Sequence, residues 1–141
     1  MNPLTIQPVM MRDSWDCGVA CLEMILAEPY ATIRACIREK QPVGLSTRQM
    51  LSIARRLGKP LRYTSTVRAV LDPAHLPTTV GILNLDRPIR DGARTHEGHF
   101  AILLETVLYN PADGLIWTDL DAWLVARRWA IHGLFTRKDS H

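Results

Sequence analysis

The chain has 141 residues, of which 47% are hydrophobic and 22% charged, with a formal net charge of +3. That length holds one domain with its own core, is short for two, and with this composition excludes a disordered or fibrous chain. No apolar run reaches the length of a membrane span, and the start, MNPLTIQPVMMRDSWD, lacks the basic-then-apolar order of a secretory signal, so a cytoplasmic protein without membrane insertion is expected.

After a lead-in over residues 1–12, Asp13, Ser14 and Asp16 are each able to cap a helix from Cys17 to about Glu28. Its apolar residues run nearly all the way round, with Glu23 the main interruption, which predicts a central, buried helix ended by Pro29. A second helix is predicted over Thr32–Lys40, broken by QPVG (41–44), and a third from a Ser46 cap to Gly58. LRYTSTV (61–67) and TTVGILNL (78–85) read as strands, and the polar stretch 86–98 as an exposed loop bordering any groove. HFAILLE (99–105), VLYN (107–110) and LIW (115–117) follow as strands, with a turn at PADG (111–114). A short helix capped by Thr118 or Asp119 and a last strand over 129–135 complete the chain, with a tail over 136–141. Helices first and strands afterwards predict an α+β fold with helices packed on an antiparallel sheet, one domain over 1–141.

The basic stretches ARRLGKPLR (54–62) and VARRW (125–129) read as solvated helix surface, with too few interleaved aromatics for a nucleic-acid face. Three cysteines, Cys17, Cys21 and Cys36, are an odd count without a secretory signal, which argues against a disulfide framework. Cys17 and Cys21 stand four apart, but no second pair with zinc spacing follows among the scattered histidines, so neither metal nor cofactor is expected.

Cys17 differs from the other two because it falls on the first turn of its helix, where the macrodipole and unpaired amides favour a thiolate. Gly18, lacking a side chain, is expected to let a substrate backbone approach the sulfur. A nucleophilic cysteine needs a base, and the base an orienting group. His99 is the leading base: it opens a strand after Gly98, at the boundary between loop and core. His132, inside the last strand, reads as structural. Asn110, ending the next strand before Pro111, is placed to accept the Nδ1 proton of that ring. If the hairpin turn near Glu105–Thr106 is centred half a residue away, Asp113 takes the third position instead.

In order, DCGVACLEMIL, GLSTRQMLSIARRLG, TVGILNL, GHFAILLE and YNPADG resemble successive blocks of the bacteriocin-processing, double-glycine-type cysteine peptidases over residues 12–135. The resemblance implies a papain-like fold, with Cys17 as nucleophile, His99 as general base and Asn110 where that family usually has Asp before Pro. It also places Asp16 and Gly18 in the groove beside the nucleophile, and gives Cys21 a counterpart that needs no metal. Six residues before the cysteine the family carries a Gln whose amide helps to form the oxyanion hole; here that position is Met11. A lost donor of this kind costs about 10²–10³ in turnover. Gln7, Arg12 or the Cys17 backbone N–H are the alternative donors.

The function implied is a stand-alone cysteine peptidase acting on a peptide or protein substrate, with cleavage after small residues such as Gly-Gly expected. Two alternatives stay open: a degenerate peptide-binding domain on the same fold, supported by Met11, and a cell-wall endopeptidase of the NlpC type. The latter usually carries Ser after the cysteine where this chain has Gly18.

Overall fold

The structure, a computed structural model, describes residues 9–12, 15–39, 44–65, 80–88, 96–104 and 107–138. Helix α1 (Cys17–Leu26) has every residue buried, Glu23 included, as its all-round apolar sequence predicts. The one charge is matched: Arg12 donates to both Glu23 carboxylate oxygens, at 2.7 and 3.2 Å. The helix ends in a left-handed Ala27 (φ 54°), and its last carbonyls take Lys59 Nζ at Leu26 (2.7 Å) and Arg137 at Ile25 (3.4 Å). Both are cations at the negative end of the macrodipole.

Helix α2 (Tyr30–Arg34) begins earlier and ends sooner than the predicted Thr32–Lys40. Arg34 itself accounts for the early end, because its guanidinium donates to the carbonyls of Ile37 and Glu39, 2.9 Å each, and holds that stretch in an irregular course. Helix α3 (Thr47–Arg56) starts on a full capping box, Gln49 N–H to Ser46 Oγ and Ser46 N–H to Gln49 Oε1. It buries Met50, Ile53 and Ala54.

Among the described residues there are six strands, β1 (Leu61–Ser65), β2 (Val80–Pro88), β3 (His96–Leu104), β4 (Val107–Asn110), β5 (Leu115–Trp117) and β6 (Ala130–Arg137). They form one antiparallel sheet in the order β1-β6-β2-β3-β4-β5. Period-two alternation divides the side chains between two cores. Ile82, Phe100, Ile102 and Phe135 pack with α1, α2 and α3; Leu83, Leu85, Ala101, Leu103 and Leu134 pack with Leu120, Trp123 and Leu124 of helix α4 (Leu120–Arg127). The sheet is therefore covered on both faces; the short helix predicted after a Thr118 or Asp119 cap is α4, and it covers the second face. Among the described residues no helix is long and apolar enough to cross a membrane.

Two further differences bear on the site. Residues 86–98 are not all loop: β2 and β3 stay paired through Asp86↔Gly98, Arg87↔Glu97 and Pro88↔His96, leaving 89–95 outside the described residues. Polar composition there did not mark the end of pairing. His99 is accordingly the fourth residue of β3 and does not open it. In β6, Asn84 pairs with Gly133 but Leu85 with Ile131, so His132 is a bulge residue, exposed to solvent. Strand β6 also runs to Arg137, two residues into the expected tail.

Candidate active site

Asp16 holds the N-cap position of α1 without a side-chain capping bond. Its carboxylate turns back instead, Oδ1 accepting the Arg12 backbone N–H at 2.9 Å. The amides of Cys17 and Gly18 are thereby left for the Cys17 sulfur, which also meets the backbone N–H of Phe100 on β3. That meeting is possible because β4 stops at Asn110; among the described residues β3 has no β4 neighbour before Ala101. Burial pushes the Cys17 thiol up from its ordinary value, the three amides pull it back, and the Asp16 carboxylate adds to the rise. The helix start alone therefore does not make a thiolate here, contrary to the reading of Cys17 from its helix position. Cys21, fully buried one turn on, is pushed well up. Among the described residues no three His, Cys, Asp or Glu side chains converge as metal ligands would.

Gly18 serves packing and not access. A Cβ there would lie 3.1 Å from the Met50 sulfur and 3.2 Å from the Phe100 ring. Its small size lets α1 close onto α3 and β3, inside the core.

His99 and Asn110 are brought together by register. Ile102 pairs with Tyr109 and Leu103 with Leu108; one step further puts Asn110 beside Ala101, on the face that carries His99. Asn110 Oδ1 lies 2.7 Å from His99 Nε2 and also accepts the Ala112 backbone N–H at 3.2 Å. An amide N–H meets only an acceptor, so the atom facing both is the oxygen, and Nε2 carries the ring proton. The lone pair is then on Nδ1, the reverse of the tautomer expected from sequence. Both residues are buried, and Trp129 stacks on the imidazole at 5.4 Å between centroids, 20° between planes.

Asp113 is engaged elsewhere. Its Oδ1 accepts from Leu115 N–H at 2.9 Å and its Oδ2 lies 3.7 Å from Arg127, in the β4–β5 turn. Met11 packs against the α1 core, and its backbone N–H donates to Pro111 O at 3.0 Å. Arg12, committed to Glu23 and lying over the Tyr30 ring, is not directed at the sulfur. Gln7 and Asp13 lie outside the described residues.

Cys17, His99 and Phe100 line one cleft of about 490 Å³, together with Trp15, Gly98, Leu45, Ser46, Thr47, Gln49 and Asn84. Asn84 of the cleft and Trp129 beside His99 escaped the reading of the sequence. Asn84 had a signal, as the one polar residue within VGILNL; its Nδ2 donates to the Tyr63 hydroxyl at 2.9 Å. Trp129 had none, because it reaches His99 only through the left-handed end of α4 at Arg128 (φ 60°).

The chain is similar in structure to a double glycine motif protease. That protein comes from an AMS/PCAT transporter and was solved in complex with the leader peptide; it superposes with a TM-score of 0.69 and 18% identity over 97% of this chain and 94% of that one. At this identity the likeness establishes a shared fold, that of a papain-like peptidase, with mixed helices and an antiparallel sheet. No family model matches the sequence. No curated protein matches it either.

Proposed function

We propose that the protein is a papain-like cysteine peptidase in which Cys17 attacks, His99 shuttles the proton and Asn110 holds the imidazole. The observation that carries this reading is the shared acceptor at Asn110 Oδ1, which leaves the His99 lone pair on Nδ1 in a cleft that also holds Cys17. Because burial opposes a lone thiolate, the nucleophile has to form by proton transfer from Cys17 Sγ to His99 Nδ1. The sulfur then adds to the scissile carbonyl carbon. The oxyanion is met by the first-turn amides of α1, the donors that remain where Met11 supplies none. His99 gives its Nδ1 proton to the departing amine, leaving a thioester. His99 then takes a proton from water, whose oxygen attacks the acyl carbon, and returns that proton to the sulfur as the C–S bond breaks, releasing the acid and the free thiol.

The substrate is a peptide or protein, cut after small residues such as Gly-Gly. The leader peptide bound to the structural neighbour supports a peptide ligand. A second reading, peptide binding without turnover, is favoured by the apolar Met11 in the strap over Pro111.

Alkylation by iodoacetamide across pH, read by mass spectrometry, tests the pair, with Cys21 and Cys36 as internal controls. The expected outcome is fast labelling of Cys17 below neutral pH, lost in His99→Ala, with cleavage of Gly-Gly peptides by wild type only. Labelling that waits for a pH of about 8.5 or above in both proteins would leave the binding domain.

A further inference from the structure

Along β2, on the face that packs with α1 and α3, apolar Val80 and Ile82 are followed by Asn84. Its Nδ2 donates to the Tyr63 hydroxyl at 2.9 Å and to Thr47 Oγ1 at 3.4 Å. The first of these bonds spans a strand. Strand β6 lies between β1 and β2, and the Tyr63 side chain crosses it over Gly133, the residue paired with Asn84. A Cβ at Gly133 would collide with the Tyr63 hydroxyl and ring, so the crossing exists only because residue 133 has no side chain. Phe135, opposite Tyr63 in the ladder, packs against the ring at 4.6 Å between centroids.

For stability alone an apolar residue at position 84 would serve as well, without desolvating three polar groups. Asn84 instead lines the cleft that holds Cys17 and Phe100. A peptide lying in that cleft gives up the water on its backbone N–H groups, each of which then needs an acceptor. Of the side-chain oxygens that line the cleft, Ser46 Oγ already accepts the Gln49 N–H, Gln49 Oε1 accepts the Ser46 N–H, and Thr47 Oγ1 accepts Asn84 Nδ2. Asn84 Oδ1 accepts nothing among the described residues and is not closed off from solvent. With both amide protons engaged on hydroxyls, the acceptor is what this side chain presents to the cleft.

We infer that Asn84 binds the substrate main chain, its Oδ1 accepting a backbone N–H of the peptide, and that Tyr63 is the positioning residue that aims the amide across Gly133. This rests on the peptidase reading given above and adds a binding residue to it. Asn84 pairs with Phe100, whose own N–H meets the Cys17 sulfur. Adjacent strands lie about 5 Å apart and an extended chain rises about 3.3 Å per residue, so the N–H accepted lies within about two residues of the cleaved bond. A contact of this kind reads main chain, so it works at a glycine, where there is no side chain to hold.

The test uses the full chain and a fluorescein-labelled Gly-Gly peptide with its ester analogues. In these each backbone N–H flanking the cleaved bond is replaced in turn by oxygen, the cleaved bond itself staying an amide. With wild type one ester is expected to lose about tenfold in kcat/KM, the scale of one hydrogen bond left unmade. Asn84→Leu loses about tenfold on the all-amide peptide and cleaves that ester equally well, because the contact is already gone. Tyr63→Phe keeps the ring against Phe135 and removes only the hydroxyl; the ester penalty falls to about threefold or less, with the change mostly in KM. It decides the matter alone if Asn84→Leu does not fold. No penalised ester with wild type, or a penalty undiminished in the variants, overturns the assignment. If wild type cleaves no peptide, the peptidase reading fails by itself, and binding to Cys17→Ser is read by fluorescence anisotropy. Weaker binding of one ester than of the amide, lost in Cys17→Ser/Asn84→Leu, sustains the role of Asn84; equal binding, or none, overturns it.

Discussion

Cys17 is held by a helix and His99 by a sheet, and the two elements fix their residues in different ways. On the helix side the contacts are largely local: Asp16 turns back to Arg12, four residues before it, and the sulfur rests on amides of its own first turn. On the sheet side nothing is local. His99 meets Asn110, eleven residues on, only because Leu104 pairs with Val107 and β4 keeps register to its end, and Trp129 arrives from beyond α4. Strand β3 joins the halves, since its Phe100 N–H reaches the sulfur while the neighbouring imidazole faces Asn110. A site divided in this way should fail differently according to which half is altered.

The largest effect separates the two candidates for the third position. Asn110→Ala removes the acceptor that fixes the tautomer, and the ring proton is then free to move to Nδ1, where it blocks transfer from the thiol. Cys17 alkylation at neutral pH should fall by about 10²-fold, within the range that a positioned base contributes. Asp113→Asn changes only the β4–β5 turn and its contact with Arg127, and should stay within about twofold of wild type. Equal losses in the two variants would mean that register does not decide the third position.

A smaller effect is expected where the halves touch. Gly18→Ala adds a methyl group 3.1 Å from the Met50 sulfur and 3.2 Å from the Phe100 ring. Met50 is fully buried and must shift to admit it, so urea unfolding should show a loss of about 1–3 kcal/mol. Phe100 carries the amide at the sulfur, so the alkylation profile of Cys17 should move as well. A loss of stability with an unchanged profile would show that α1 tilts as a unit and leaves β3 in place.

The legible parts of the site follow the same division. The start of a buried α1 at Cys17 and the Ser46 cap could be read because each is set within a few residues. The pairing of His99 with Asn110 required counting across a turn, and the count left Asp113 open; only the register Ile102↔Tyr109 separates them. The tautomer follows from Asn110 accepting the Ala112 N–H two residues on, a bond that no motif announces, whereas the packing role of Gly18 depends on Met50 and Phe100, far from it in sequence. The second face of the sheet was missed because α4 follows five strands and chain order does not say on which side it returns.

The smallest predicted effect tests whether helix stability and site geometry are separable. Ala27 ends α1 with φ at 54°, a conformation in which a Cβ crowds the backbone. Glycine there relieves that crowding, while its greater freedom in the unfolded chain costs about 0.4–1 kcal/mol. The left-handed strain in an L-residue is roughly 1–2 kcal/mol, so Ala27→Gly should raise the unfolding free energy by up to about 1 kcal/mol. Ala27 is exposed, at the opposite end of α1 from Cys17, and the carbonyls before it remain held by Lys59 and Arg137. The alkylation profile of Cys17 should therefore be unchanged. If it shifts while stability rises, the helix transmits strain along its length to the sulfur, and the two halves are less independent than their construction implies.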